Sequence, residues 1–266
     1  MRDLKSAPRW LQRLFWLSLL LIIWEGSVKA LHISPMLFPS VELVAKTLLE
    51  GFLSGDLLYQ TAYSLGIILL GMLIAALSAG ILALAGTKWR TVASFVDTLT
   101  AVMHPLPGLA LLPLIIMWFG TGSGAVLVML VHSALWPILL NMTAGIASVP
   151  DMYLDCGENL GLKKGKITWS ILLPASAGYL ISGTKIAFAR AWRALISAEM
   201  VFGAVGAKGG IGWYILTQRT FMNTAGLFAG ILVVIVLGIL IEDVLFARLE
   251  RHTVEKWGVM KARDAA

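Results

Sequence analysis

The sequence predicts an all-α polytopic membrane protein with about six transmembrane helices. Hydrophobic residues make up 58% of its 266 positions and charged residues only 14%, whereas soluble domains average about 45–50% and about 25%. A helix that crosses a bilayer needs about 20 mostly apolar residues. Runs that meet this requirement lie at 11–31, 60–86, 94–119, 124–148, 171–202 and 225–247.

No soluble domain fits between these runs, because the two longest intervals, 32–59 and 203–224, are short. We therefore expect a single transmembrane domain over 1–266 with a core at about 60–247. The interval 32–59 contains an amphipathic stretch, which predicts one short helix lying along the outer membrane surface. The interval 203–224 is expected to lie outside the bilayer on the same side.

The N-terminus carries a basic region before the first apolar run, as a secretory signal does. No small-residue cleavage site follows, since Trp24-Glu25-Gly26-Ser27 continues directly into Val28-Lys29. We therefore expect an uncleaved first span. Glu25 is expected to be buried there and to need a partner, which the sequence does not identify.

Lysine and arginine residues concentrate on one side of the predicted spans. The basic residues of that side are Arg2, Lys5, Arg9, Arg13, Lys88, Arg90, Lys163, Lys164, Lys166, Arg248, Arg251, Lys256, Lys261 and Arg263. The opposite side holds Lys29, Lys46, Lys208 and Arg219. Because cytoplasmic loops retain lysine and arginine, both termini and the interval 151–170 are expected in the cytoplasm. Topology thus accounts for the net charge of +6.

The polar interval 151–170 has an ordered layout. Asp155-Cys156-Gly157 is followed by three residues, Gly161, nine residues and then Ile171-Leu172-Leu173-Pro174. Pro150-Asp151 is a helix start signal, and acidic side chains favour the N-terminal end of a helix dipole. Gly161 can adopt the left-handed conformation that ends a helix. These features predict a short helix over 151–160, although an ordinary solvated loop is the alternative for any polar interval.

This layout resembles the cytoplasmic coupling loop of ABC-importer permeases, whose signature is Glu-Ala-Ala, three residues, Gly, nine residues and Ile-x-Leu-Pro. Asp-Cys-Gly stands here in place of Glu-Ala-Ala, and Gly157 is expected to make the helix less rigid. The resemblance implies that the loop at about 150–170 transmits force from a separate ATPase. The implied coupling residues are Asp155, Cys156, Gly157, Glu158, Gly161, Ile171, Leu173 and Pro174.

Other segments are similar to permeases of the nitrate/sulfonate/taurine (NitT/TauT) importer class, over about residues 38–250. They are Phe38-Pro39-Ser40, Ser54-Gly55-Asp56-Leu57, His104-Pro105-Leu106-Pro107, the stretch 112–120, Ala189-Arg190-Ala191-Trp192, Ala198-Glu199-Met200 and Gly209-Gly210-Ile211-Gly212. The resemblance implies a type I ABC-importer permease fold and a transmembrane subunit that imports a small anionic solute, such as a sulfonate, nitrate or a carboxylate.

The same resemblance implies the partners. They are two ABC ATPase subunits, a second permease copy or a close paralogue, a soluble substrate-binding protein and the lipid bilayer of a bacterial cytoplasmic (inner) membrane. No Gly-x4-Gly-Lys-Ser/Thr occurs, so ATP and Mg²⁺ are expected on the ATPase subunits and this chain is not expected to be an enzyme. The single cysteine excludes an internal disulfide and a four-cysteine metal site. We expect no cofactor, metal or nucleic acid on this chain.

Two arginines are the first candidates for the translocation path, because ionisable residues inside a span by default face a cavity or a partner. Arg190 and Arg193 lie one turn apart on one face of the fifth run. Their planar guanidiniums suit a sulfonate or carboxylate. The alternative is that they pair with Glu199 or Glu25, or only hold helices together.

The further path candidates are His104, Trp118, His132, Trp136, Trp192 and Glu199. Each has a plainer interpretation, since histidines can be satisfied inside a bundle and tryptophans anchor membrane interfaces. Ser123 within Thr121-Gly122-Ser123-Gly124 does not match the Gly-x-Ser-Gly of rhomboid proteases, and we reject that enzyme class.

The competing class is a secondary carrier or channel without an ATPase partner. Such a protein usually carries inverted repeats and intramembrane acid or histidine relays, whereas here the intramembrane charge concentrates in the fifth run. A structural membrane scaffold, the third class, would not need the motif at 151–174.

Overall fold

The computed structural model describes residues 9–203, 209–250 and 253, and these ranges contain helices and connecting turns but no strand. The α-helices are α1 Arg9–Ala30, α2 Val41–Leu53, α3 Asp56–Lys88, α4 Arg90–Met103, α5 Leu112–Phe119, α6 Ser123–Ala147, α7 Asp151–Asn159, α8 Lys164–Ile167, α9 Leu173–Ala175, α10 Ala177–Phe202, α11 Ile211–Thr220, α12 Thr224–Ile239 and α13 Ala247–Glu250. A 3₁₀ turn lies at Gly108–Leu111, and π-helical turns lie at Thr168–Leu172 and Leu240–Phe246.

Four of the described helical segments are long and apolar enough to cross a membrane, and two bent helix pairs bring the number to as many as six. The four are Leu11–Ala30, Asp56–Lys88, Ser123–Ala147 and Thr224–Glu250. The bent pairs are Arg90–Met103 with Gly108–Phe119, at 90°, and Lys164–Ala175 with Ala177–Phe202, at 64°. The helices confirm the predicted fold class, while the single domain over 1–266 stays a prediction.

The third and fifth predicted spans, 94–119 and 171–202, are not straight helices. Proline lacks the N–H that an α-helix requires and its ring clashes with the preceding turn, so Pro105 and Pro107 break the third span between α4 and α5. Pro107 itself is extended, with φ −65° and ψ 131°. In the fifth span, Pro174 follows a π-helical turn in which the Leu173 N–H donates to the Thr168 carbonyl, five residues back.

The core forms around α6, which packs most extensively against α10 and α3. Two glycines let these helices approach. A Cβ atom at Gly183 would lie 2.6 Å from the Asn141 Cβ, and one at Gly145 would lie 2.7 Å from the Tyr179 Cβ. Small residues at such contacts favour helix association where lipid removes the hydrophobic drive.

The α3 helix shows how the bundle faces its surroundings. Ile68, Ala75 and Ala79 are buried against the core, whereas large apolar side chains four residues apart are exposed on the opposite face. That exposed stripe consists of Leu69, Leu73, Leu77 and Ile81. An apolar stripe of this length suits contact with lipid.

The predicted short helix in 32–59 is confirmed as α2, which begins after the N-cap residue Ser40, whose side chain accepts a hydrogen bond from the Leu43 N–H. Glu25 of α1 is half-buried rather than buried. It accepts the Val41 N–H at 2.7 Å and lies 2.8 Å from the Lys29 ammonium. The partner that the sequence left open is therefore found at the α1–α2 junction.

The interval 203–224 contains a helix that the sequence did not predict. Ile211 and Tyr214 of α11 are buried with Leu57 and Val233, in a second hydrophobic cluster beside the main core. The interval thus contains a packed helix, and its location outside the bilayer stays a prediction.

The basic residues Arg2, Lys5, Lys208, Arg251, Lys256, Lys261 and Arg263, on which part of the orientation prediction depends, lie outside the described residues. Among the described ones, Arg13 of α1 lies 2.6 Å from Asp243 in the π-helical turn after α12. The start of the first predicted span and the end of the last one therefore lie at the same end of the bundle.

Candidate functional site

A cavity of about 490 Å³ opens where the bend between α4 and α5 meets α6 and α10, and we call it the arginine cavity. It is lined by His104, Pro105, Leu106, Pro107, Gly108, Leu109, His132, Ser133, Trp136, Arg190, Arg193, Ala194 and Ser197. Five of the eight predicted path residues therefore line one space, although they come from three segments far apart in sequence.

The 90° bend brings the segment 104–109 against the bundle. Gly108 makes this approach possible, because a Cβ atom there would lie only 2.9 Å from the Ser133 Oγ on α6. On α10, Arg190 points across to the bend. Its Nη1 donates to the His104 carbonyl and its Nη2 lies near the His104 Nε2, both at 3.4 Å. Arg193 is steadied by its own helix, since its Nε donates to the Ala189 carbonyl at 2.9 Å.

The arginine cavity is positive. No carboxylate lies among its lining residues, and neither Arg190 nor Arg193 forms an ion pair within the described part of the chain. The alternative pairing with Glu199 or Glu25 is therefore not observed. Both guanidiniums keep donors available to a guest.

Several buried polar atoms around the same cavity have no hydrogen-bond partner among the described residues. They are the His104 Nδ1, both ring nitrogens of His132 and the Trp136 Nε1. Buried polar groups are nearly always satisfied, so these atoms mark a place where a polar guest or water completes the hydrogen bonding. Guanidinium forks, imidazoles and an indole N–H together suit a small oxyanion.

Two predicted path tryptophans do not line this cavity. Trp118 of α5 is 66% exposed and faces away from the bundle. Trp192 is 6% exposed, stacks near Phe188, and donates its Nε1 to the Val234 carbonyl at 3.3 Å. Trp192 lies between Arg190 and Arg193 in sequence. Successive residues of a helix point in different directions, so Trp192 lies on another face of α10 and outside the cavity.

Glu199 of α10 does not line the arginine cavity either, and its carboxylate contacts the start of α11. It is 1% exposed and accepts the Ser64 Oγ–H at 2.6 Å and the Gly212 N–H at 2.8 Å. The Ser64 Oγ in turn accepts the Ile211 N–H at 2.9 Å. The carboxylate and the hydroxyl thus satisfy the first amides of α11, which is the usual place for an acidic group.

The glycines of the Gly209-Gly210-Ile211-Gly212 segment are explained by the close approach of this segment to Glu199. A Cβ atom at Gly210 would lie 2.0 Å from the Glu199 Oε1, and one at Gly212 would lie 2.5 Å from the Ile196 carbonyl oxygen. Only glycine lets the backbone come this close. Sequence spacing alone could not reveal this contact, because Ser64 is distant in the chain.

The helix predicted over 151–160 is present as α7, Asp151–Asn159. It ends as expected at Gly161, whose φ is +73°. The Gly161 N–H donates to the Glu158 carbonyl at 2.8 Å and the Leu162 N–H donates to the Gly157 carbonyl at 3.0 Å, which closes the helix with a left-handed turn.

Gly157 has a packing role that the sequence did not predict. It is buried, and a Cβ atom there would lie 2.8 Å from the Ile171 Cδ1 and 3.2 Å from the Ile167 Cγ1. The glycine therefore seats α7 closely on the segment that leads into α10. The close attachment adds to what the sequence predicted, and the loss of rigidity expected from helix propensity stays a prediction.

The remaining residues of the predicted coupling motif divide into two groups. Asp155, Cys156, Glu158 and Gly161 are exposed, whereas Ile171, Leu173 and Pro174 are half-buried against the bundle. The exposed face also carries large apolar side chains that the sequence analysis did not single out. They are Met152, Tyr153 and Leu160, with Trp169 nearby in the chain. Clustered exposed apolar residues on a polar segment are typical of a protein docking surface.

Comparison with known proteins gives concordant results. The sequence model of the family described as binding-protein-dependent transport system inner membrane component matches residues 76–254. The taurine transport system permease protein TauC of Escherichia coli (strain K12) is 28% identical over 89% of this chain and 86% of its own. The putative aliphatic sulfonates transport permease protein SsuC of Bacillus subtilis (strain 168) is 28% identical over 93% and 88%.

A third relative is the nitrate import permease protein NrtB of Synechococcus elongatus, which is 31% identical over 62% of this chain and 58% of its own. Among solved structures, a chain of the MetNI methionine ABC transporter in inward-facing conformations superposes with a TM-score of 0.53. That chain is 19% identical, and the match covers 77% of this chain and 97% of the other. This likeness shows the fold, and it confirms the predicted type I permease architecture.

Proposed function

We infer how this chain works from one premise, that it belongs to the family of binding-protein-dependent transport system inner membrane components. It is a permease subunit of an ABC importer, as predicted. The family and the relatives do not favour the alternative of a secondary carrier or channel. Family membership alone does not identify the transported solute, the translocation path, or the identity and number of the partner subunits.

The proposed cargo is a small anion of the sulfonate, nitrate or carboxylate class. The relatives are named for taurine, aliphatic sulfonates, nitrate and bicarbonate, which all carry an anionic oxygen group. The single observation that supports this cargo is the arginine cavity. Within the described part of the chain, two guanidiniums without an acidic partner face it, beside histidine and indole nitrogens that lack a hydrogen-bond partner.

The same cavity is proposed as part of the translocation path. Arg190 sits thirteen residues into α10, well away from either helix end, and its long hydrogen bonds to His104 can be exchanged for bonds to a passing anion. A path must also release its cargo. Arg190 and Arg193 are exposed within the chain rather than enclosed, which favours weak and reversible binding.

The proposed coupling element is α7 with its left-handed end at Gly161. Its exposed apolar residues are suited to a groove on a soluble ATPase. The close packing at Gly157 would transmit a displacement of α7 to the segment that leads into α10. We propose two ATPase subunits that hold ATP and Mg²⁺, a second copy of this permease or a paralogue, and a soluble binding protein on the other side.

The proposed orientation follows from the same element. Lys163, Lys164 and Lys166 flank α7, and the positive-inside tendency puts such a segment in the cytoplasm of a bacterial cell. Both termini then face the cytoplasm as well. A reporter fused at the C-terminus and another inserted in the interval 32–59 give opposite accessibility in intact cells if this orientation is right.

The path is tested by removing one guanidinium at a time. Arg190→Ala and Arg193→Ala should each lower uptake of the transported anion, chosen from a panel of taurine, an alkanesulfonate, nitrate and bicarbonate, while the permease still assembles with its ATPase. Lys185→Ala is the matched control, because it removes a cation from the same helix outside the cavity. If all three variants transport alike, the cavity is not the path. If the arginine variants lose uptake only in proportion to their loss of assembly, the arginines hold helices together instead.

A further inference from the structure

Asp97 of α4 is an acid without an evident structural role. It lies in the third predicted span and is exposed, and no hydrogen bond or ion pair of its carboxylate is found within the described part of the chain. An ionised side chain in a span is costly unless it faces a water-filled cavity or a partner. The cavities around Asp97 therefore indicate its function.

A cavity of about 230 Å³ lies beside Asp97 and adjoins the arginine cavity. The two spaces share His104 and Pro105 in their linings. The smaller cavity is also lined by Thr100, a buried residue whose Oγ1 has no partner among the described residues. Asp97 thus lines a cavity that adjoins the proposed anion path.

A further cavity of about 300 Å³ continues in the same direction, and it shares Asp97 and Thr143 with the previous one. It reaches Thr87 near the end of α3 and Ala147 at the end of α6. The end of α6 leads directly into α7. The three spaces therefore follow α4 from the arginine cavity to the coupling-helix end, and Asp97 lines the second and the third of them.

Charges alternate along this line. Arg190 and Arg193 face the first cavity, Asp97 lines the next two, and Lys88 ends α3 just before Arg90 begins α4. Asp97 precedes His104 by seven residues, which is about 10 Å along the helix axis. At about that distance, a charge in a partly wet protein interior still changes the local concentration of anions.

We propose that Asp97 is an electrostatic barrier to anions between the arginine cavity and the coupling-helix end. This inference rests on the proposed function, in which that end faces the cytoplasm and the cavity carries anions. A positive cavity open toward the cytoplasm would fill with the anions abundant there, such as phosphate and chloride. The carboxylate weakens that filling, so the cavity stays available to an anion delivered from the other side.

The barrier can be measured with Trp136, which lines the arginine cavity. Iodide, an anion, and acrylamide, a neutral molecule, both quench tryptophan fluorescence on collision. In the purified full-length transporter at fixed low ionic strength, the Trp136 contribution is obtained by subtracting the same variant carrying Trp136→Phe. Asp97→Asn should raise iodide quenching of Trp136 by roughly threefold, because one unit of repulsion is removed, and it should leave acrylamide quenching unchanged.

Three variants complete the test. Asp97→Glu keeps the charge and should behave like the unmodified protein. Glu50→Gln makes the same charge change on the exposed face of α2 and should have no effect. Arg190→Ala should lower iodide quenching. The increase caused by Asp97→Asn should also shrink in about 1 M salt, where the screening length falls to about 3 Å.

The outcomes separate the two proposals. If Arg190→Ala lowers iodide quenching but Asp97→Asn does not raise it, the barrier is refuted and the anion path stands. If Arg190→Ala has no effect, the cavity does not attract anions, and both proposals are wrong. If Asp97→Asn raises iodide and acrylamide quenching equally, the residue controls access by its shape, and the electrostatic barrier is again refuted.

Discussion

The Glu199 carboxylate on α10 accepts the Gly212 N–H of α11 at 2.8 Å. Ser64 of α3 donates to the same carboxylate and accepts the neighbouring Ile211 N–H. One acid and one hydroxyl thus join three helices at the N-terminus of a short buried helix. Glu199, which the sequence suggested for the translocation path, thus makes structural contacts between helices.

Replacing Ser64 with alanine should destabilise the permease by about 1–3 kcal/mol, since it leaves the buried Ile211 N–H unsatisfied. Glu199→Ala should cost more, about 3–5 kcal/mol, because it removes the acceptor of two hydrogen bonds and leaves a buried cavity. Thermal unfolding in detergent measures both. Thr98→Ala on the exposed face of α4 serves as the control and should shift stability by less than about 0.5 kcal/mol. Independent, additive effects of the Ser64 and Glu199 variants would contradict the shared network.

Gly157→Val should uncouple ATP hydrolysis from uptake, because the added side chain pushes α7 away from Ile171 and Ile167. We expect hydrolysis by the assembled transporter to persist while uptake falls at least tenfold. Gly165→Ala is the control, since nothing lies within 4 Å of a Cβ atom there. Normal uptake in the Gly157 variant would mean that the close seating of α7 does not transmit force.

Gly161→Pro should also uncouple ATP hydrolysis from uptake, but for a different structural reason. Proline cannot adopt the φ of +73° that Gly161 requires, so the left-handed end of α7 is lost and the chain leaves the helix in another direction. Uptake and hydrolysis measured in proteoliposomes give the coupling ratio. A ratio equal to that of the unmodified protein would show that the turn at Gly161 is not needed.

Leu160→Ser should weaken the association with the ATPase, because Leu160 is 79% exposed at the end of α7 and offers apolar area to a partner. The amount of ATPase that co-purifies in mild detergent is the measurement. Leu53→Ser provides a matched control at the end of α2, where the leucine is 78% exposed. Equal co-purification in both variants would remove Leu160 from the docking surface.

Cys156 offers a direct reporter, because it is the single cysteine of the chain and is exposed on α7. A maleimide should label it rapidly in the isolated permease and at least several-fold more slowly in the complex with the ATPase. A Cys156→Ser variant carrying Ser54→Cys should label equally in both states. Unchanged labelling of Cys156 in the complex would place the ATPase elsewhere.

The long helices and α7 were predictable from the sequence because a bilayer forces the backbone of a span to satisfy its own hydrogen bonds. Apolar runs of the required length therefore mark spans reliably, and α7 carries local start and stop signals at Asp151 and Gly161. These signals act over a few residues. They do not depend on where the rest of the chain goes.

The arginine cavity was predictable only in part. His104, His132 and Arg190 were each identified by type. Pro105 and Pro107 mark where the third span breaks, but the 90° angle that brings the three residues together depends on how the flanking helices pack. Trp118 and Trp192 had the same signal and lie elsewhere, because the face a residue occupies is decided by its neighbours. The buried helix α11 escaped prediction because its stabilising acceptors, Glu199 and Ser64, come from other helices.

The bend at His104 also has a mechanical consequence. The fourteen residues of α4 form a rod about 21 Å long, whose far end lies beside the turn that leads from α3. A tilt of about 10° around that end would carry the tip by roughly 4 Å. The contacts between Arg190 and His104 measure 3.4 Å. A tilt of that size would exceed the length of these contacts, so a small rotation of α4 about its first turn would be enough to separate His104 from Arg190.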